Sequence, residues 1–140
     1  MATREILIYP HTVLKQPAVK ITNVDDSLVS LITDMNETLY SARGVGLAAP
    51  QVGAGLSLIL VDPTGKADSG QLKVILNPEI IEAEGREVDS EMCLSVPEFA
   101  VEIARATRIL VKGTDLEGHD LRIEAEGFLA RIFQHEIDHL

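Results

Sequence analysis

The sequence predicts an α+β fold in which mostly antiparallel strands pack around a buried C-terminal helix, with a second helix near the N-terminus. Two segments with apolar residues at helical spacing enclose a series of short apolar runs that are separated by turn residues. With 140 residues and a hydrophobic fraction of 46%, the chain has the size of one ordinary domain. We therefore expect residues 1–140 to form a single domain.

The first predicted helix covers residues 26–42. Asp25 or Asp26 can accept a hydrogen bond from the first turn and so cap the helix. Gly44 is expected to end it, because glycine tolerates the left-handed conformation of a C-terminal cap. Apolar residues recur between these limits at helical spacing, at Leu28, Leu31, Ile32, Met35 and Leu39.

The middle of the chain predicts strands. Pro63 and Pro78 are expected to end the first two of them, because proline cannot donate a hydrogen bond to a sheet. Gly118 indicates a hairpin turn over residues 115–120. In the last strand apolar and polar residues alternate, as in a half-buried strand. The predicted strands are residues 56–62, 73–77, 99–103, 107–112 and 121–125.

The last segment changes to a helical period. Its apolar residues cover more than one helix face, so this helix is expected to be buried. They are Phe128, Leu129, Ile132, Phe133, Ile137 and Leu140.

This helix contains the motif His-Glu-x-x-His at residues 135–139. His135 and His139 lie about 40° apart around the axis and about 6 Å apart along it, so both imidazoles can bind one metal ion. Glu136 would lie roughly 60–100° around the axis from them, at the rim of the same site. There it could exchange a proton with water without being a ligand. The motif therefore predicts a metal-dependent hydrolase with Glu136 as its acid/base, although an exposed helix could contain the same residues by chance.

A third protein ligand is expected upstream of the helix, because only Leu140 follows His139. The candidates are His11, His119 and Cys93. His119 lies in a predicted turn, where an exposed role is the simpler interpretation. A cysteine thiolate binds Zn²⁺ or Fe²⁺ well, although a lone cysteine is often an inert buried residue. Cys93 could instead be a nucleophile with a histidine base, but that alternative leaves His139 and Glu136 without a role.

Composition excludes several other classes of function. The formal net charge of −10, without a cluster of lysine or arginine, argues against binding to nucleic acid or anionic lipid. No stretch approaches the roughly 20 apolar residues that span a membrane, and the first residues do not form a signal peptide. The single cysteine excludes an internal disulfide and suits a reducing cytosol. We therefore expect a cytoplasmic protein without direct nucleic-acid or membrane partners.

Three segments together resemble the motifs of peptide deformylases. They are Gly-Val-Gly-Leu-Ala-Ala-Pro-Gln at 44–51, Glu-Met-Cys-Leu-Ser at 91–95 and Gln-His-Glu-Ile-Asp-His-Leu at 134–140. Their order and spacing also fit, and the resemblance runs from about residue 5 to the C-terminus. It implies a bacterial or phage enzyme that removes the N-formyl group from nascent peptides beginning with formyl-methionine and releases formate.

The resemblance implies a metal held by Cys93, His135 and His139. Fe²⁺ is the usual ion in the bacterial family, and a site with one cysteine and two histidines also accepts Zn²⁺ or Ni²⁺. Water would fill the fourth position, as catalytic sites require. Glu136 would take a proton from that water and pass it to the leaving amine.

The other two motifs would bind substrate. The resemblance implies that the side-chain amide of Gln51 and the backbone N–H of Leu94 stabilise the developing oxyanion. Gly46 would let the peptide backbone come close, because it has no Cβ. Val45 and Met92 would also contact the substrate. The family usually has glycine where Met92 stands, so Met92 would narrow or reshape the methionine pocket unless its side chain points away.

One further partner and two alternative functions stay open beside this resemblance. Family members usually continue beyond this helix into an extension that helps docking at the ribosome, so ribosome docking is only weakly expected for a sequence that stops at Leu140. A general metallopeptidase would share the helix but would not need Gln51 or Cys93. A non-enzymatic protein that only binds peptides is the second alternative, and the intact ligand set with Glu136 argues against it.

Overall fold

A sheet of antiparallel strands separates the two helices. The computed structural model describes residues 3–7, 17–65, 72–93 and 95–140, and the side chains of Met92 and of residues 96–101 lie outside that description. Ala49–Val52 forms a short 3₁₀ helix. In the described residues the helices and strands are α1 (Asp26–Ser41), β1 (Gly46–Ala48), β2 (Leu58–Val61), β3 (Lys73–Glu84), β4 (Glu87–Cys93), β5 (Val96–Arg105), β6 (Arg108–Thr114), β7 (Asp120–Glu126) and α2 (Gly127–Asp138).

The strands form two separate sheets. Within the described part of the chain, five strands pair in the order β1-β2-β3-β6-β7, while β4 and β5 form a hairpin of their own. Every pairing between these strands is antiparallel. The predicted α+β class, with antiparallel strands and a helix near each end, is confirmed.

Strand β2 shows how one sheet supports a helix on each face. Successive side chains of a strand point to opposite faces. Leu58 and Leu60 belong to the core cluster that contains the apolar residues of α1. Ile59 and Val61 belong to the cluster that contains Ala130, Ile132 and Phe133 of α2. Because both faces are covered, all four residues of β2 are buried, which explains the continuous apolar run in the sequence.

Helix α1 begins and ends with identifiable caps. The side chain of Asp25 accepts a hydrogen bond from the N–H of Leu28 at 2.8 Å. At the other end, Arg43 has a φ of 57°. The N–H of Gly44 reaches the carbonyl of Leu39 at 3.0 Å, as in a Schellman motif. The left-handed position therefore falls on Arg43 and not on Gly44, whose N–H closes the motif instead.

Strand β3 does not end at Pro78, so that prediction was wrong. The strand continues to Glu84, and its register against β6 shifts between Leu76 and Glu79. Pro78 lies within this irregularity, where proline is tolerated because the ladder is locally interrupted. The expected hairpin turn near Gly118 is present between β6 and β7.

Helix α2 is fixed to the rest of the fold near both ends of its functional motif. The side-chain amide of Gln134 accepts a hydrogen bond from the N–H of Ala106 and donates one to its carbonyl, both at 2.9 Å. Farther along, the carbonyl of Leu140 accepts a hydrogen bond from the N–H of Ala18 at 2.9 Å. These contacts oppose fraying at the helix end that contains the two histidines.

No helix among the described residues is long and apolar enough to cross a membrane.

The Gln134→Ala substitution should destabilise the protein by about 1–3 kcal/mol, because it leaves the backbone groups of Ala106 without these partners. Urea denaturation measures the free energy of unfolding. Arg122→Ala, at an exposed position of β7, is the control and should change it by less than about 0.5 kcal/mol. Similar small values for both variants would contradict a docking role for Gln134.

Candidate metal centre

Three side chains from two elements converge beside α2. The Sγ of Cys93, at the end of β4, lies 3.3 Å from Nε2 of His139. Nε2 of His139 in turn lies 3.4 Å from Nε2 of His135. The donor atoms of all three residues lie within 4.8 Å of one another.

The surroundings of the two histidines suit metal binding. Burial would raise the pKa of Glu91, but hydrogen bonds from Arg105, His135 and Arg131 lower it to about 2, so this residue is an anion. Glu91 Oε1 lies 2.9 Å from Nδ1 of His135, and a carboxylate can only accept. Nδ1 of His135 therefore donates this hydrogen bond, and Nε2 is the ring nitrogen that faces the other candidate ligands. Burial and the neighbouring His135 lower the pKa of His139 to about 4, so that ring is neutral.

The spacing of these atoms fits a tetrahedral metal. Ordinary zinc–ligand bond lengths place two imidazole nitrogens about 3.3 Å apart, and a thiolate sulfur about 3.6 Å from a nitrogen. The observed distances are 3.4 Å between the two nitrogens and 3.3 Å between Cys93 Sγ and His139 Nε2. One thiolate and two neutral imidazoles are a donor set that divalent transition metals accept.

Glu136 lies beside this centre and is buried, with 5% of its surface exposed. The sequence motif predicts a place for Glu136 at the rim of the site, but α2 holds its side chain inward against β1. Among the described residues its Oε1 has no hydrogen-bond partner. Burial, with a further contribution from the charge of Glu91 and an opposing one from Arg105, raises its pKa to about 8. A buried carboxyl group whose Oε1 lacks a partner, next to three candidate metal donors, fits a site that binds a cation and water, because a bound cation would lower this pKa again.

Gly46 provides the space for that carboxylate. Ala48 belongs to the core cluster on the α2 side of the sheet, and Gly46, two residues earlier in β1, faces the same way. A Cβ added at Gly46 would come within 2.8 Å of Cγ and 2.9 Å of Cδ of Glu136. Such contacts essentially do not occur, so glycine is needed here for the position of Glu136.

Gln51 is fixed in one orientation at the end of the 3₁₀ helix. It is almost fully buried, and its Oε1 accepts a hydrogen bond from the N–H of Ala48 at 2.9 Å. Its Nε2 therefore faces the centre, 3.1 Å from Oγ of Ser95 and 3.6 Å from Sγ of Cys93. The structure thus brings Gln51 together with the three candidate ligands.

An open cleft of about 320 Å³ leads to the centre. Val45, Ile132 and Phe128 line it with apolar surface, while Gly46 and Glu136 lie at its inner end. Phe128 is 58% exposed and stands at the entrance. The shape and lining suit an apolar side chain attached to a polar group that reaches the donors.

The remaining predicted residues lie elsewhere or outside the described part. Leu94 and His11 are outside the described residues, as is the side chain of Met92, whose backbone pairs with Ala100 in the β4–β5 hairpin. His119 is exposed in the β6–β7 turn, near Asp115 and Glu117, and does not join the centre.

His135 is surrounded by polar residues that no sequence motif predicted. Glu91 accepts hydrogen bonds from Arg105 at 2.9 and 3.0 Å and from Arg131 at 2.6 Å. Arg131 precedes His135 by four residues, so the two side chains leave α2 on the same face. That spacing could have predicted from the sequence that Arg131 lies near His135. The position of Arg105 could not be predicted in this way, because it depends on the pairing of β4 with β5.

Comparison with known proteins identifies the family. A family model described as polypeptide deformylase matches residues 3–140. The chain belongs to the polypeptide deformylase family. A peptide deformylase of Thermodesulfovibrio yellowstonii is 48% identical over 140 residues, which cover all of this chain and 85% of the relative. A peptide deformylase of Desulfosudis oleivorans is 45% identical over 141 residues and is covered to 82%.

Solved structures of the family have the same fold. The crystal structure of a Legionella pneumophila peptide deformylase superimposes with a TM-score of 0.94 at 44% identity, over 98% of this chain and 80% of that one. A Thermotoga maritima peptide deformylase gives a TM-score of 0.92 at 41% identity, over 99% of this chain and 91% of that one. The resemblance seen in the sequence is confirmed, and with it the function of a deformylase, a metal-dependent hydrolase.

The Gly46→Ala substitution should lower kcat for deformylation on the order of 10²-fold. The added Cβ would overlap the side chain of Glu136 and force its carboxyl group away from its present position. Steady-state kinetics on a formyl-methionyl peptide give kcat and KM separately. Gly55→Ala is the control, because an added Cβ there meets no atom within 4 Å. A higher KM with unchanged kcat would indicate instead that Gly46 only makes room for the peptide.

Proposed function

We propose that this chain, as a single catalytic domain of residues 1–140, removes the formyl group from the N-terminal formyl-methionine of nascent peptides. The observation that carries the proposal is the convergence of Cys93, His135 and His139 beside the buried carboxylate of Glu136. These three residues would hold one divalent metal ion. Fe²⁺ is the proposed native ion, in keeping with the bacterial family, and Zn²⁺ or Ni²⁺ would also suit the donors.

The metal would supply a Lewis acid that polarises the formyl carbonyl and acidifies water. Glu136 is proposed to accept the proton from water as the water oxygen attacks the formyl carbon. The carbonyl electron pair moves onto its oxygen and then returns, and the bond between carbon and nitrogen breaks. Glu136 gives its proton to the departing amine, so that the products are a peptide with a free N-terminus and formic acid, which loses its remaining proton to water and leaves as formate.

Gln51 is proposed to stabilise the negative charge that develops on the formyl oxygen. Its Nε2 already faces the centre, because Ala48 holds its oxygen and Ser95 lies beside its nitrogen. A donor that is oriented in advance needs no reorganisation during the reaction, which is the basis of this kind of stabilisation. The backbone N–H of Leu94 is the second proposed donor, on the strength of the motif at residues 91–95.

The cleft is proposed to bind the methionine side chain of the substrate. Val45, Ile132 and Phe128 offer apolar surface to an unbranched thioether, which adapts well to such pockets. The peptide backbone would then pass Gly46, with Met92 as a further contact. The acidic charge of the whole chain gives no support to nucleic acid as a direct partner.

One observation also suits a cysteine nucleophile, since Cys93 Sγ and His139 Nε2 are 3.3 Å apart. The surroundings favour metal binding over that chemistry. The pKa of His139 is lowered to about 4, which makes it a weak base, and Nε2 of His135 faces the same space as a second nitrogen donor. A cysteine nucleophile would also leave the buried Glu136 without a function.

The Glu136→Gln substitution should retain the metal, because Glu136 is not a ligand, and should lower kcat by roughly 10²–10⁴-fold. Formate release from a formyl-methionyl peptide measures activity, and elemental analysis of anaerobically purified protein measures metal. The same peptide without the formyl group is the control substrate. Its cleavage would indicate a general metallopeptidase, an inactive wild-type protein would indicate a peptide-binding protein, and loss of metal in the variant would contradict the proposed role of Glu136.

Alkylation of Cys93 should be slow in the metal-bound protein and fast after chelation, because removal of the metal releases the thiolate. Mass spectrometry of iodoacetamide-treated protein, with and without chelator, provides the measurement on the chain's single cysteine. Adding Zn²⁺ back should restore protection. Fast alkylation that is independent of chelator would favour the nucleophile, and slow alkylation in both states would favour an inert buried residue.

A further inference from the structure

Arg105 contacts two carboxylates that belong to different elements. It stands at the end of β5, and only 12% of its side chain is exposed. Its Nε and one terminal nitrogen bind the two oxygens of Glu91 on β4, at 3.0 and 2.9 Å. Its other terminal nitrogen binds Asp138 in the last turn of α2. The planar guanidinium group can make this fork and the second contact simultaneously, whereas an ammonium group cannot.

Each of these two carboxylates is linked to one of the histidines, Glu91 by a hydrogen bond and Asp138 by its position in the chain. Glu91 accepts a hydrogen bond from Nδ1–H of His135 at 2.9 Å, which fixes the ring orientation and directs Nε2 toward the other donors. Asp138 immediately precedes His139, which caps the end of α2. Helix ends fray unless they are held, so a contact to Asp138 restrains the backbone of His139.

We propose that Arg105 is a positioning residue that holds both histidines in the geometry for binding the metal. This inference rests on the proposed ligand set. Within the described residues, Arg105 is the side chain that joins the partner of His135 to the neighbour of His139. Arg131 also binds Glu91, at 2.6 Å, but its other contacts are the carbonyls of Ile103 and Glu87.

Arg108 provides a matched comparison, because it is an arginine in an ion-pair cluster that does not reach the centre. It lies within 4 Å of Glu82, Glu84 and Glu124, whose side chains are 57%, 70% and 56% exposed. Exposed pairs of this kind contribute little to stability. If Arg105 were an ordinary structural arginine, its replacement and that of Arg108 would have the same consequence for metal binding.

The test measures the affinity of the apo protein for Co²⁺ by competition with a chelator, following the absorption that cobalt shows when bound to a thiolate. Arg105→Gln should weaken binding by about 10- to 100-fold, as expected when a group that supports metal ligands is removed. Arg108→Gln should bind as the wild type does. Urea denaturation of each apo variant separates a change in stability from a change in affinity.

The Asp138→Asn variant changes a largely exposed side chain and should fold even if Arg105→Gln does not. It should also weaken Co²⁺ binding, and the double variant should lose less than the product of the two single losses, because both changes break one contact. Wild-type affinity in Arg105→Gln, or equal weakening in Arg108→Gln, would overturn the inference while the metal site stands. Absence of the thiolate absorption in the wild type would overturn the proposed ligand set itself, and the inference with it.

Discussion

The carboxylate of Glu91 connects parts of the fold that the two sheets leave unconnected. In the described structure the β4–β5 hairpin shares no strand pairing with the five-stranded sheet. Glu91 reaches from that hairpin to Arg131 and His135 of α2. Its side chain is only 7% exposed, so the loss of hydration is large unless several donors compensate. The requirement for those donors brings Cys93, two residues further along the same hairpin, next to the helix with the histidines.

The helices and strand β2 were predictable because local pattern and burial agree in them. Helix α1 has apolar residues on one face, and β2 is apolar throughout because both of its faces are covered. His135 and His139 were predictable for the same reason, since the geometry of a helix places residues four apart on one side. The arrangement of Cys93 beside them was suggested by the order of three motifs, whereas local pattern left His11 and His119 as open alternatives.

The rest depended on contacts that no local pattern contains. Strand β4 was missed because its residues are mostly polar and Val88 is 55% exposed, so the sequence shows no apolar alternation. The end of β3 was misplaced because a bulge accommodates Pro78. Arg105 was missed because its two partners are 14 and 33 residues away in the chain, and only the paired hairpin and the packed helix bring them together.

Small residues on one face of β1 explain how the site can hold an unpaired carboxylate. Ala48 and Gly46 both face α2, so the helix approaches the strand closely enough to bury Glu136. A buried polar atom without a partner destabilises a fold by about 1–3 kcal/mol. The fold tolerates this at Glu136 because Ile132 and Phe133, one turn earlier in α2, are buried in the core. The destabilising polar atom thus belongs to the group that must exchange a proton. Gln51, which must keep one orientation, has both ends of its side-chain amide hydrogen-bonded, to Ala48 and to Ser95.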